Sequence, residues 1–312
     1  MKTKALYIYI PIILLTLIIS FFLRFDISNG GSSSDLYYHW IYIVALNQDI
    51  SILLDYNHTT INGFSQHYPL HHIIISRFDF LSTKQENYLN FYFIFSVFLP
   101  VLFYYCLENR FPELEFKKKI FISSIIYLLP GYQSSAIWGN SHISSLFFFL
   151  GSIYFLNNLE KKEERKINFN IFFIVFFMAC AAYIRQYYII FFPYLFFNIL
   201  QLTRLNNIIF FFILSIVLSI PGIFFLINNP IMLGGIIGDY TDFKSSILII
   251  LSIIFVYLFP FYITDLKYNY FKSLELFSNK KFSITFFLSS AIFLYIFFNF
   301  YYNGYLGGGF FY

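Results

Sequence analysis

Three groups of residues have types and spacing suited to chemistry. Asp35 follows Gly30-Gly31-Ser32-Ser33-Ser34 and precedes Tyr38-His39-Trp40. A flexible turn there presents a carboxylate at the start of an aromatic, interfacial helix, a position that suits a general base facing a membrane-bound substrate. The competing reading is a plain N-cap, in which Ser34 or Asp35 satisfies free helix amides. His67-Tyr68-Pro69-Leu70-His71-His72 sets two adjacent imidazoles after a proline that fixes helix entry, an arrangement fit to bind phosphate or position a hydroxyl. Neighbouring helical residues project roughly 100° apart, so His71 and His72 do not form the i, i+4 pair of a metal site. Surface histidines without a role are the alternative. Arg185-Gln186 interrupts two closely apposed apolar runs. A guanidinium at that boundary can grip a lipid phosphate through two parallel hydrogen bonds, and snorkelling to headgroups is the bland counterpart.

Other chemistries find no support. Cys106 and Cys180 both fall inside apolar runs, with neither an external disulfide pair nor zinc-ligand spacing. There is no Walker loop, Gly-x-Ser-x-Gly, His-Glu-x-x-His or Cys-x-x-Cys. We expect no cofactor and no metal. The basic stretch Lys117 to Lys119 and the charges from Glu160 to Lys166 read as solvated loops. The net charge of +4 is small and spread over short loops, which argues against a nucleic-acid partner.

The elements that carry these residues follow from composition. The 312 residues are 59% hydrophobic and 12% charged, more apolar surface than one soluble core can bury. Repeated runs of about 18 to 20 apolar residues match the length of a membrane-crossing helix, and none alternates like a barrel strand. The fold class expected is therefore all-α and polytopic, a single integral membrane domain over 1–312. About nine spans are expected, at 5–23, 88–107, 119–134, 142–157, 169–184, 187–203, 207–227, 245–264 and 283–301. The first reads as a retained signal anchor. With the N-terminus inside, Arg24, Arg77, Lys84, Arg185 and Lys244 are the outer cations. The remaining 15 of the 20 Lys and Arg residues then lie inside, which sets this orientation over its inverse.

All six histidines and Asp26, Asp35, Asp49, Asp55, Asp79, Glu86, Asp239 and Asp242 then share the outer side. Most belong to the connection 24–87, too long for a simple link. Its stretches 36–46 and 70–81 read as two amphipathic surface helices. Two further outer segments, 131–142 and 228–239, break their flanking helices with Gly and polar residues, and irregular backbone at membrane depth lines cavities. The Gly-rich close, 303–312, directly follows an apolar run, so a truncated form of a longer protein is expected.

The order of these features resembles the GT-C glycosyltransferases, whose hallmark is an acidic residue in the first outer loop, matched here by Asp35. Asp35-Leu36-Tyr37-Tyr38-His39-Trp40 and His67-Tyr68-Pro69-Leu70 resemble the acid, His and Pro-containing segments of several lumenal glucosyltransferases of that class. Ala181-Ala182-Tyr183-Ile184-Arg185-Gln186 and Gly234-Gly235-Ile236-Ile237-Gly238-Asp239 are similar to segments of the dolichyl-phosphate-glucose alpha-1,2-glucosyltransferases. The chain departs from that family in having Ser34-Asp35 where two acids are common, and Tyr187-Tyr188 after Arg-Gln. The resemblance implies transfer of a glucose-like hexose from a polyprenyl-phosphate carrier to a lipid-linked or glycan acceptor at the outer or lumenal face. Asp35 would be the base. Arg185 and Gln186 would hold the donor phosphate, with His39, His71, His72 and Asp239 assisting or orienting the sugar. Membrane lipids would be the remaining partners. The implied location is a bacterial plasma membrane, or the endoplasmic reticulum membrane in a eukaryote. A flippase of lipid-linked saccharides is the rival from another class, and it calls for polar residues along spans that are here nearly free of charge.

Overall fold

A computed structural model describes residues 3–25, 31–53, 68–159 and 169–228, with isolated positions between 278 and 295. The chain forms two compact units, Met1–Leu233 with Gly309–Tyr312, and Gly234–Gly308. The site described below lies in the first. Regular structure among the described residues is entirely helical. In chain order the helices are α1 (Thr3–Leu23), α2 (Gly31–Gln48), α3 (Leu70–Ser76), α4 (Asp79–Ser82), α5 (Gln85–Arg110), α6 (Phe116–Ser124), α7 (Pro130–Trp138), α8 (His142–Leu159), α9 (Phe169–Ala182), α10 (Phe192–Leu202) and α11 (Leu205–Asn228).

Of these, α5 and α11 are long and apolar enough to cross a membrane. The bent pair Phe116–Leu128 and Pro130–Trp138 makes a third if taken as one span. The apolar run 119–134 is therefore not one straight helix. Its break has a local cause: Leu129 precedes Pro130, is forced into extended backbone (φ −71°, ψ 122°), and the axis turns by 68°. The run 187–203 likewise opens as a 3-10 turn, Gln186–Phe191, before α10. The run 245–264 lies outside the described residues, as does most of 283–301. Large apolar side chains on α11, among them Ile213, Ile216, Ile220, Phe224 and Ile227, face outward. Such a surface suits association with a membrane.

The expected surface helices are present with different limits. The first is longer, Gly31–Gln48, and the second divides into α3 and α4 at Arg77-Phe78. Segment 131–142, expected to be irregular, is mostly helix. Pro130 occupies the first turn of α7, where its missing N–H costs nothing. The irregular part shrinks to Gly139-Asn140-Ser141 before α8. Gly139 ends α7 in the left-handed region (φ 65°), and a Cβ there would lie 2.6 Å from Cε1 of Tyr88.

One hydrophobic cluster packs α1, α5 and α7 around Leu17, Tyr88, Tyr92, Leu99 and Ala136. A second joins α8, α9, α10 and α11 around Leu156, Ile174, Leu195 and Phe211. Gly151 lets α8 approach α9 closely, since a Cβ at that position would lie 2.7 Å from the Phe177 ring.

A hydroxyl is spliced into α11. Pro221 removes one rung of its hydrogen-bond ladder. The Tyr183 hydroxyl accepts from the Gly222 N–H at 3.0 Å and donates to the Leu218 carbonyl. It thereby bridges donor and acceptor that would otherwise pair as i and i−4. The Tyr183 carbonyl meanwhile accepts from the Leu70 N–H at 3.3 Å. One residue thus ties the start of α3 and the middle of α11 to the end of α9.

Candidate functional site

Helix α2 begins at Gly31, which makes Asp35 its fifth residue rather than a cap in a flexible turn. The N-cap reading is excluded on that ground, because a capping residue precedes the helical backbone. Asp35 and His39 are one turn apart and share a face of α2. The Asp35 side chain is exposed. Protein crowded around it still withdraws enough water to raise its carboxyl above the ordinary value, with Arg185 opposing the shift.

The paired histidines diverge as neighbouring helical residues must, with ring planes at 76°. His72 turns toward α2. Its Nε2 lies 2.7 Å from Nδ1 of His39, and the two rings stack at 4.9 Å. His71 turns toward α5 and α8, where both ring nitrogens are engaged. Its Nε2 is 3.1 Å from the Tyr88 hydroxyl, and its Nδ1 is 3.1 Å from Oγ of Ser144. The Tyr88 hydroxyl donates to the Gly139 carbonyl, so it must accept from His71, which therefore carries its proton on Nε2. Nδ1 is then the acceptor and Ser144 the donor. Ser144 Oγ in turn accepts from the Tyr92 hydroxyl, whose oxygen receives the Ser144 N–H at 3.1 Å. This chain is complete only with a neutral imidazole. Burial, reinforced by the Arg185 cation, drives the His71 pKa down to about 3. His71 holds the α7–α8 turn and offers no free nitrogen to a ligand.

Arg185 ends α9. Ile184 and Arg185 both donate to the Ala181 carbonyl, at 3.2 and 2.9 Å. The chain then extends (φ −140°, ψ 104°) and turns the guanidinium inward. The side chain is 6% exposed, and its Nε donates to Oγ of Ser141 at 2.9 Å. Ser141 immediately precedes α8, so the guanidinium stands at the positive end of an 18-residue helix. No carboxylate among the described residues is within ion-pair distance of it. Burial lowers the Arg185 pKa, while Tyr187 and Asp35 act in the opposite direction. Asp35 and Arg185 thus feel each other without forming a pair.

The structure therefore brings Asp35, His39, His71, His72 and Arg185 into one neighbourhood. Gln186 is half-buried beside Arg185. Asp239 lies outside the described residues, as does His67. Among the described residues no group of three or more His, Cys, Asp and Glu side chains gathers as a metal-holding set. Sequence reasoning missed Tyr88, Tyr92, Asn140, Ser141 and Ser144. Tyr88 and Tyr92 have a readable i, i+4 spacing, and Gly139-Asn140-Ser141 is polar backbone between apolar helices. Neither pattern says that the two converge.

A second buried cation corrects the expectation that Lys117 to Lys119 is a solvated run. Lys119 is 2% exposed and donates to Oε2 of Glu108 at 3.0 Å and to the Pro112 carbonyl at 3.0 Å. Lys118, by contrast, is exposed and makes only a loose pair with Glu115 at 3.7 Å.

Chemically, the Arg185 site joins a buried cation, a helix N-terminus and a nearby exposed carboxylate of raised basicity. It can hold an anion with a proton acceptor beside it. No family model matches this chain, and no curated protein or solved structure shows significant similarity to it.

Proposed function

We propose that this protein is a multi-pass membrane glycosyltransferase that moves a glucose-like hexose from a polyprenyl-phosphate carrier to a lipid-linked or glycan acceptor. The observation that carries the reading is the state of Arg185: a buried guanidinium at a helix N-terminus, without a carboxylate partner among the described residues, close to an accessible Asp35. A buried cation without a partner is costly, and an anionic ligand removes that cost. The donor phosphodiester supplies such an anion and a leaving group of the same charge character.

In the proposed reaction Asp35 takes the proton of the acceptor hydroxyl as its oxygen attacks the anomeric carbon. The bond from that carbon to the phosphate oxygen breaks, and the electron pair leaves with the polyprenyl phosphate, stabilised by Arg185 and the α8 N-terminus. Attack opposite the leaving group inverts the anomeric centre. His39 and His72, joined by their hydrogen bond, orient the neighbourhood of Asp35, and Gln186 flanks the phosphate. The apolar runs form about nine spans, and the site faces the outside of a bacterial plasma membrane or the lumen of the endoplasmic reticulum.

The test is transfer of radiolabelled sugar from a panel of polyprenyl-phosphate donors to membrane lipid or glycan by membranes containing the protein. We expect transfer by the native chain and its loss in Asp35→Asn at equal expression. Absence of transfer from every donor, or full activity of Asp35→Asn, overturns the reading.

A further inference from the structure

Asn140 is the next residue to explain, because it is 2% exposed and its Oδ1 is buried without a hydrogen-bond partner among the described residues. A buried polar atom left unpaired is destabilising, so its retention needs a reason. The ordinary reason at this place is capping, since Asn140 stands two residues before the first residue of α8. That role is already filled. The Ser144 N–H goes to the Tyr92 hydroxyl, the Ser145 N–H to the Ser141 carbonyl, and the Ile143 N–H to the Asn140 carbonyl of the main chain. A second ordinary reason, fixing the turn, is met by backbone. Asn140 donates its own N–H to the Ser135 carbonyl at 3.0 Å, Gly139 supplies the left-handed step, and Tyr88 pins the Gly139 carbonyl. The carboxamide oxygen is spare in a turn whose main-chain carbonyls at Gly139, Asn140 and Ser141 are all used.

Its neighbour decides what it is spare for. Ser141 accepts the Arg185 Nε at 2.9 Å, and consecutive Cα atoms are about 3.8 Å apart. The unpaired amide oxygen therefore belongs to the same short turn that holds the anion-binding guanidinium. A cation that lacks a carboxylate asks for an anion, and an acceptor that lacks a donor asks for a hydroxyl or N–H. A ligand serving both carries a hydroxyl a few bonds from its phosphate, which describes a phosphosugar better than a bare lipid phosphate.

We propose that Asn140 is a specificity-determining residue whose Oδ1 accepts a hydrogen bond from a hydroxyl of the sugar carried on the phosphate at Arg185. This rests on the glycosyltransferase reading above and adds to it the group that distinguishes a charged donor from a spent carrier.

The experiment measures binding of two probes, undecaprenyl phosphate and undecaprenyl-phosphate-glucose, to the full chain in nanodiscs. Native protein is compared with Asn140→Leu and Asn140→Ala, and the thermal midpoint of each is recorded without ligand. Native protein is expected to prefer the glycosylated probe. Each variant should lose roughly tenfold in affinity for that probe, the size of one well-made hydrogen bond, keep its affinity for undecaprenyl phosphate within about twofold, and melt no lower than the native chain. Equal loss of both probes, or loss of neither, overturns the role of Asn140 and leaves the phosphate site standing. Failure of the native chain to bind either probe overturns the phosphate reading and this inference with it. A lowered midpoint together with unselective weakening identifies Asn140 as a structural residue and likewise overturns the proposal.

Discussion

Lys119 and Arg185 are both cations withdrawn from solvent, at 2% and 6% exposure, yet their surroundings differ. Lys119 closes the turn between α5 and α6. It finds a carboxylate and a main-chain carbonyl at 3.0 Å each, and nearby amides, Asn157 to the Cys106 carbonyl and Asn109 to Asn158, are also paired. Among the described residues Arg185 finds one neutral hydroxyl, a helix N-terminus of its own sign, and an acid that acts on it from beyond pairing distance. Burial is therefore uninformative about role, and the partner set decides it. The Lys119 cluster is complete as folded. The Arg185 cluster holds a cation without a carboxylate partner among the described residues.

That contrast can be broken most sharply at Arg185. Arg185→Gln is expected to reduce sugar transfer by about 10²- to 10³-fold, the size of losing a preorganised donor at the leaving group. Its thermal midpoint in detergent should stay level or rise, because an unpaired buried charge has been removed. Arg185→Lys keeps the charge but not the fork, and should recover only part of the transfer. A large fall in the Arg185→Gln midpoint makes Arg185 a structural cation like Lys119.

Lys119→Met should show the reverse pattern: transfer unchanged, and stability lower by about 1–3 kcal/mol in a denaturant titration. The loss stays below that of a fully buried pair because the Glu108 side chain keeps 42% of its exposure and can return to water. A transfer defect at equal folded protein contradicts the division of roles.

A further effect is graded with pH and is small only per pH unit. His71 is held neutral, with a folded pKa near 3 against an ordinary value of 6.5. The unfolded chain therefore binds a proton between those values that the folded chain refuses. Stability is full above about pH 6.5 and declines on acidification toward pH 3, by at most about 1.4 kcal/mol per pH unit. Thermal midpoints recorded from pH 7 to pH 4 should fall in the native chain and fall less steeply in His71→Gln. Parallel curves show that the His71 network is not the origin.

Much of the frame was legible in the sequence. Runs of Phe, Ile and Leu specify helices wherever they occur, because helix formation satisfies the backbone locally and needs no partner. Pro69 and Gly139 announce their breaks for the same reason: proline and glycine act on φ at their own position. The 100° divergence of His71 and His72 is equally local. Chain periodicity did not show that the 119–134 run bends, since its apolar count passes straight through Pro130. Nor did it show that Lys119, one of three consecutive lysines, folds inward while Lys118 stays in water.

The roles at the site belong to the second category. Asp35, His39, His72 and Arg185 stand out by type, but His71 becomes a positioning residue only because Tyr88 and Ser144 meet it from two other helices. Asn140 Oδ1 is left over only because main-chain groups and the Tyr92 hydroxyl satisfy the amides at the start of α8. Sequence by itself determined the helical, apolar character of this protein and the residues with chemical potential, because side-chain type and backbone preference are properties of single positions. Which of those residues are satisfied and which remain open was decided by tertiary structure alone, because a hydrogen bond or ion pair forms between groups whose distance in the chain says nothing about their distance in space.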